Sequence, residues 1–112
     1  MIIGIAGPYS APTEEQRTTN LEAMNRAAAE VYNKGHIPFI GINTAIPVVN
    51  QLKFEHEEER YHAIMKISLA LIDQCSALLV IGESRGVELE KQHILSKGLP
   101  VFYNLTEIPS GV

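Results

Sequence analysis

The order of elements in this chain predicts an α/β fold in which a small parallel sheet, of four to five strands, carries helices on both faces. Three observations lead there. Short apolar runs rich in β-branched residues alternate with longer segments of helical period. Ala77 to Ile81 is apolar throughout, as a strand buried on both sides of a parallel sheet must be. Gly7-Pro8, Gly35, Gly82 and Gly98 punctuate the boundaries between runs. Alternating strands and helices with right-handed crossovers leave few other topologies.

Each element has its own signal. Ile2 to Ala6 predicts a buried strand that ends at Gly7-Pro8, and a turn region continues to Pro12. Thr13 has the character of a helix N-cap. Gln16 completes a capping box, and Glu14 and Glu15 suit the positive end of the helix dipole. Leu21, Met24, Ala28 and Val31 recur at helical spacing, and Gly35 after Lys34 supplies the left-handed residue that stops the helix. Ile37 to Ile42 predicts a second strand. Asn43 to Lys53 contains Pro47 and no clear period, which predicts a loop. The acidic run Glu55 to Glu59 leads into a second long helix, with Tyr61, Ile64, Met65, Ser68, Leu71 and Ile72 on one face. Ala77 to Ile81, Gly86 to Ser96 and Pro100 to Tyr103 predict a strand, a helix and a last strand. Thr106 to Val112 predicts a weakly ordered tail. Without repeats or linkers, residues 1–112 read as one domain.

Composition excludes several functions. A hydrophobic fraction of 46% and a charged fraction of 20% are those of a globular chain, and the net charge of −4 argues against a polymeric nucleic acid as partner. A small phosphate-bearing ligand stays open, because the N–H groups of a helix start hold anions without net positive charge. No apolar stretch approaches the ~20 residues of a membrane span. Met1 to Ala6 lacks a basic leader and meets Gly7-Pro8 too early for a signal peptide. The single cysteine, Cys75, lies in an apolar run and reads as a small core residue, which fits a reducing, cytoplasmic location. The histidines at 36, 56, 62 and 93 form no metal pattern, since position 60 after His56-Glu57 is arginine. The glycines form neither a Walker loop nor a dinucleotide fingerprint, so neither a metal nor an organic cofactor is expected.

In an open parallel sheet, ligands bind beyond the carboxyl ends of the strands where the strand order reverses. For the order 2-1-3-4 that point lies between the first and third strands. It brings Gly7-Pro8-Tyr9-Ser10 opposite Gly82-Glu83-Ser84-Arg85-Gly86. Ser84 can cap the third helix, Gly86 lets a ligand approach the backbone, and Glu90 follows about one turn later, where the dipole favours its ionised form. An ionised, partly desolvated carboxylate beside a sugar carbon can act as a covalent nucleophile. The plainer alternative makes Ser84 only a cap and Glu88 and Glu90 solvated acids. Tyr9 is either a hydroxyl in the cleft or a surface residue of a rigid turn. Ser68 either bonds back to a carbonyl of its own helix or brings that helix to the cleft. Arg17 and Arg85 are the nearest cations for a phosphate.

Several segments in order also resemble the nucleoside 2-deoxyribosyltransferase-like family, especially its short bacterial and phage branch. These are Ile5-Ala6-Gly7-Pro8-Tyr9-Ser10, Gly35-His36-Ile37-Pro38, the junction Ser68 to Ala77, the signature Ser84-x-Gly86-x-x-x-Glu90, and Gly98-Leu99-Pro100-Val101. The resemblance implies a flavodoxin-like, Rossmann-like three-layer sandwich and cleavage of an N-glycosidic bond. It implies Glu90 as nucleophile, Tyr9 near the sugar, and Ser84 and Gly86 on the sugar or its phosphate. Gly7, Pro8, Ser10 and Arg85 complete the expected binding set. The expected ligand is a nucleoside or nucleoside monophosphate, with transfer to a second base or hydrolysis by water as the outcome. The expected assembly is a homodimer or higher homo-oligomer, in which a neighbouring subunit completes the site. Two positions depart from the family. Serine replaces its usual aspartates at 68 and 76, and the aspartate at 68 assists the departing base. Loss of such assistance is worth ~10²–10⁴-fold in rate. Asp73 lies off the face of Ser68 and does not substitute. A nucleotide-binding module with little chemistry, and an interaction domain with no small-molecule site, are the rival expectations.

Overall fold

A computed structural model describes residues 1–111. In chain order the elements are β1 (Ile2–Ala6), α1 (Glu14–Asn33), β2 (Ile37–Phe39), α2 (Gly41–Val49), α3 (Glu57–Ile72), β3 (Ala77–Val80), α4 (Arg85–Ser96), β4 (Val101–Phe102) and a 3-10 turn at Leu105–Glu107. The strands form a four-stranded, all-parallel sheet of order β2-β1-β3-β4. With helices on both faces this is the three-layer, flavodoxin-like sandwich the sequence predicts. No helix of the described residues is long and apolar enough to cross a membrane.

The period-2 alternation of the central strands divides the core. Ile3 and Ile5 of β1, with Ala77 and Leu79 of β3, pack against Met24 and Val31 of α1. Ala6, Leu78 and Val80 point the other way, onto Ile72 at the end of α3 and Val87 and Ile94 of α4. Thr13 and Ser84 cap their helices as expected, although at Thr13 only the half of the expected capping box that runs to the Gln16 N–H is formed. The Gln16 N–H donates to Thr13 Oγ1 at 3.1 Å, the Val87 N–H donates to Ser84 Oγ at 3.2 Å, and Gly35 and Gly98 hold positive φ just beyond α1 and α4.

Two expectations are corrected. The stretch from Asn43, expected to be a loop, lies largely in α2, and the second strand ends at Phe39 rather than at Ile42. Pro47 sits inside this helix, which intrinsic propensity opposes. Burial of Ala45 and Val49 against Ile64 of α3 outweighs it. The tail expected to be weakly ordered is docked. Ile108 is 2% exposed in the α1-side core, and Lys34 Nζ donates to the Leu105 carbonyl at 2.8 Å. The Gly111 N–H donates to the Lys34 carbonyl at 2.7 Å. Val112, the last residue of that tail, lies outside the described residues. His36 ties the two chain ends together, with Nδ1 3.1 Å from the Met1 amine and Nε2 2.6 Å from the Pro109 carbonyl. Ile108→Val, which removes one buried methylene, should lower stability by about 1 kcal/mol in chemical denaturation. A surface tail would show no loss.

Candidate active site

The switch point between β1 and β3 builds a cavity of about 310 Å³. Gly7, Pro8, Tyr9 and Ser10 form one side, and Ser84, Arg85, Gly86 and Val87 form another. The two loops touch closely. A Cβ at Gly82 would come within 2.7 Å of Pro8 Cδ, so the side chain-free residue permits the approach. Every binding residue expected from the sequence lines this space. Ile42, Tyr61, Ile64 and Met65 line it too, and none of them was expected there.

Glu90 lies within the cavity wall and is only 2% exposed. Its position follows from the helix period. Val87, Glu90 and Ile94 form the buried stripe of α4, so a carboxylate occupies a place where the packing suits an aliphatic residue. Across from it, Ser68 is the polar gap in the Ile64, Met65, Ser68, Ile72 stripe of α3. The Ser68 hydroxyl donates to Glu90 Oε2 at 3.3 Å rather than to a carbonyl of its own helix. Ser68 is fully buried behind Glu90 and does not line the cavity. Its side chain meets the Glu90 carboxylate and not the cavity.

Burial also corrects the expected charge state. The helix dipole favours an ionised Glu90, but desolvation dominates and pushes its carboxyl up to about 7, against a smaller downward pull from the Ser68 hydroxyl. Near neutral pH the group therefore divides between acid and carboxylate, the range in which acid–base and nucleophilic roles are both accessible. Glu88, two residues earlier, is exposed and ion-paired with Lys91 at 3.1 Å, as a solvated first-turn acid should be.

The cations are already engaged. Arg85 donates to Glu58 through Nη2 at 2.6 Å and Nη1 at 3.1 Å, and its guanidinium stacks 4.2 Å above the Tyr61 ring. Hydrogen bonds from Arg85, and a weaker one from His62, hold the Glu58 carboxyl down to about 2. Arg17 lies in a neighbouring hollow that shares Tyr9 and Ser10 with the cavity, and its Nη1 donates to the Ala11 carbonyl at 2.8 Å. Asp73 does not line the cavity and pairs with His93 at 2.8 Å and Lys97 at 3.2 Å. Burial pushes the Cys75 thiol up to about 11, with the Glu90 charge adding to the shift, which leaves it a protonated core residue at neutral pH. Glu55, His56 and Glu59 bring ligand atoms within 4.8 Å of one another, but all three are exposed and none lines the cavity. Compared with known proteins, the chain matches no family model and no curated protein.

Proposed function

We propose that this chain cleaves the N-glycosidic bond of a nucleoside or nucleoside monophosphate through a covalent glycosyl–Glu90 intermediate. The observation that supports this most is a carboxylate at a core position of α4 that opens onto a cavity. An aliphatic residue there would be more stable, so the presence of an acid at that position points to chemistry in the cavity. In the first step a Glu90 oxygen attacks the sugar carbon that carries the base. The new C–O bond forms as the C–N bond breaks, its electron pair leaves with the base, and the base takes a proton from solvent. Attack of water on the same carbon breaks the glycosyl–Glu90 C–O bond, returns its electron pair to the carboxylate and releases a proton to solvent, which completes hydrolysis; attack by an N–H nitrogen of a second base, with the same loss of a proton, completes transfer. Tyr9 and the backbone of Gly7 to Ser10 would flank the sugar. Ser84 and the free N–H groups at the start of α4 would hold a sugar oxygen or a 5′-phosphate. The family resemblance adds a homodimer or higher homo-oligomer to the same proposal, and the single cysteine, Cys75, adds a cytoplasmic setting.

A nucleotide-binding module with weak chemistry is the second reading. One observation favours it: among the described residues Glu90 is the only acid lining the cavity, so no carboxyl stands ready for the departing base. The test is chromatography of free base after incubation with each 2′-deoxynucleoside and its 5′-monophosphate, across a pH series. Base release is expected, rising with pH through about 7 as Glu90 loses the proton that blocks attack. Calorimetric binding without turnover over hours would favour the binding module. Failure of every probe to bind would sink both readings.

A further inference from the structure

Tyr61 has a feature that neither the fold nor the proposed nucleophile explains. Its hydroxyl is buried, and no group of the protein hydrogen-bonds it; among the described residues it is the sole buried side-chain polar atom in that state. Unpaired buried hydroxyls are rare because they lose water without compensation, and phenylalanine would fill the same space without that loss. The ring is also held in place, with the Arg85 guanidinium stacked on it and Arg85 clamped by Glu58. Glycine at position 86 keeps room beside the hydroxyl. A Cβ there would stand 3.7 Å from Tyr61 Oη and 3.2 Å from Met65 Sδ. Tyr61, Gly86 and Glu90 line one cavity.

We infer that Tyr61 is a substrate-binding residue whose hydroxyl hydrogen-bonds an oxygen of the ligand's sugar. The inference rests on the reading of Glu90 as nucleophile, because the atoms nearest Glu90 in the bound state are then those of the sugar. Burial raises the Tyr61 phenol above its usual range against an opposing pull from the Arg85 charge, and the charges of Glu58 and Glu90 add to the rise. The phenol is therefore a neutral donor at working pH and lies within electrostatic reach of the Glu90 carboxylate. The cavity would select a glycoside over a free base through this contact.

Tyr61→Phe tests it, with calorimetric binding of 2′-deoxyadenosine, 2′-deoxyguanosine, 2′-deoxycytidine and thymidine, each compared with its free base. The variant should bind the nucleoside about three- to tenfold more weakly than wild type, the usual effect of one lost neutral hydrogen bond, with affinity for the free base unchanged. Without ligand it should melt at or above the wild-type temperature, since no internal bond is lost. Unchanged nucleoside affinity, an equal loss for nucleoside and base, or a lowered melting temperature would each overturn the role of Tyr61 while leaving Glu90 untouched. Absence of binding by the wild-type protein to every one of these nucleosides and to their 5′-monophosphates would overturn the parent reading together with this one.

Discussion

Glu90→Gln should melt about 10 °C above the wild-type protein at pH 8, and should lose base release by on the order of a thousandfold or more. The two effects have one cause. In the folded chain the Glu90 carboxyl titrates at about 7, against 4.5 for an unperturbed glutamate, because burial opposes its charge. A gap of that size corresponds to about 3 kcal/mol. Below 4.5 both folded and unfolded chains carry the neutral acid, and stability is at its fullest. Between 4.5 and about 7 the unfolded chain releases its proton while the folded chain keeps it, so stability falls as pH rises. Above about 7 the loss is complete. Glutamine has nearly the same shape and cannot ionise, so the variant escapes this decline. Thermal melts at pH 4, 6 and 8 should show a difference that is near zero at the lowest pH and opens toward the highest. A difference independent of pH would mean that Glu90 is not a strained, desolvated acid. The activity arm follows because glutamine offers no anionic oxygen to the sugar carbon. A variant that is more stable and inactive is the pattern of a site retained at the expense of the fold.

Much of this site was legible in the sequence, and the reasons are specific. The β1 and β3 runs are short, apolar and closed by glycine, and for the order 2-1-3-4 the switch point falls between them. That order sets Gly7 to Ser10 against Gly82 to Gly86, and residues of both loops line the cavity. The burial of Glu90 was also readable in principle. Val87, Glu90 and Ile94 share the inward stripe of α4, and an acid in such a stripe is a different object from an acid in a first turn. Judging Glu90 only by its distance from the helix start gave weight to the dipole, whose influence is small beside desolvation in a closed interior.

The rest depended on contacts that no local pattern encodes. Pro47 and a nine-residue span concealed α2, which is held by its packing on α3 rather than by propensity. Ile42 consequently looked like the end of a strand and not like a wall of the cavity. Tyr61, Ile64 and Met65 were correctly assigned to one helical face, but periodicity cannot say whether a face meets a core or a cavity. The docked tail is a similar case, since Ile108 is an isolated apolar residue near polar neighbours and only its distant partners on the α1 side reveal its burial.

The contact between Gly41 and Ser68 carries the second large effect. A Cβ at position 41 would fall onto the Ser68 hydroxyl and would stand 3.2 Å from Ser68 Cβ and 3.3 Å from Ser68 Cα. Both residues are buried, so the start of α2 cannot back away without disturbing the α2–α3 packing. Gly41→Ala should therefore destabilise the protein by about 2–3 kcal/mol in chemical denaturation, the upper part of the range for overpacking a core. The same substitution in a Ser68→Ala background should be less damaging by about 1–2 kcal/mol, because the oxygen that the methyl would strike is gone. Strictly additive losses would show that the two residues do not share this space. The coupling extends to the site. The Ser68 hydroxyl that the methyl would displace is the one that donates to Glu90 and favours its ionised form. Both Gly41→Ala and Ser68→Ala should then move the pH profile of base release upward, with a larger deficit at pH 6.5 than at pH 8.5, where Glu90 ionises without help. A uniform loss at both values would assign Ser68 a purely structural role. The predicted asymmetry would give the serine at 68 a function of its own, holding and tuning the proposed nucleophile from behind.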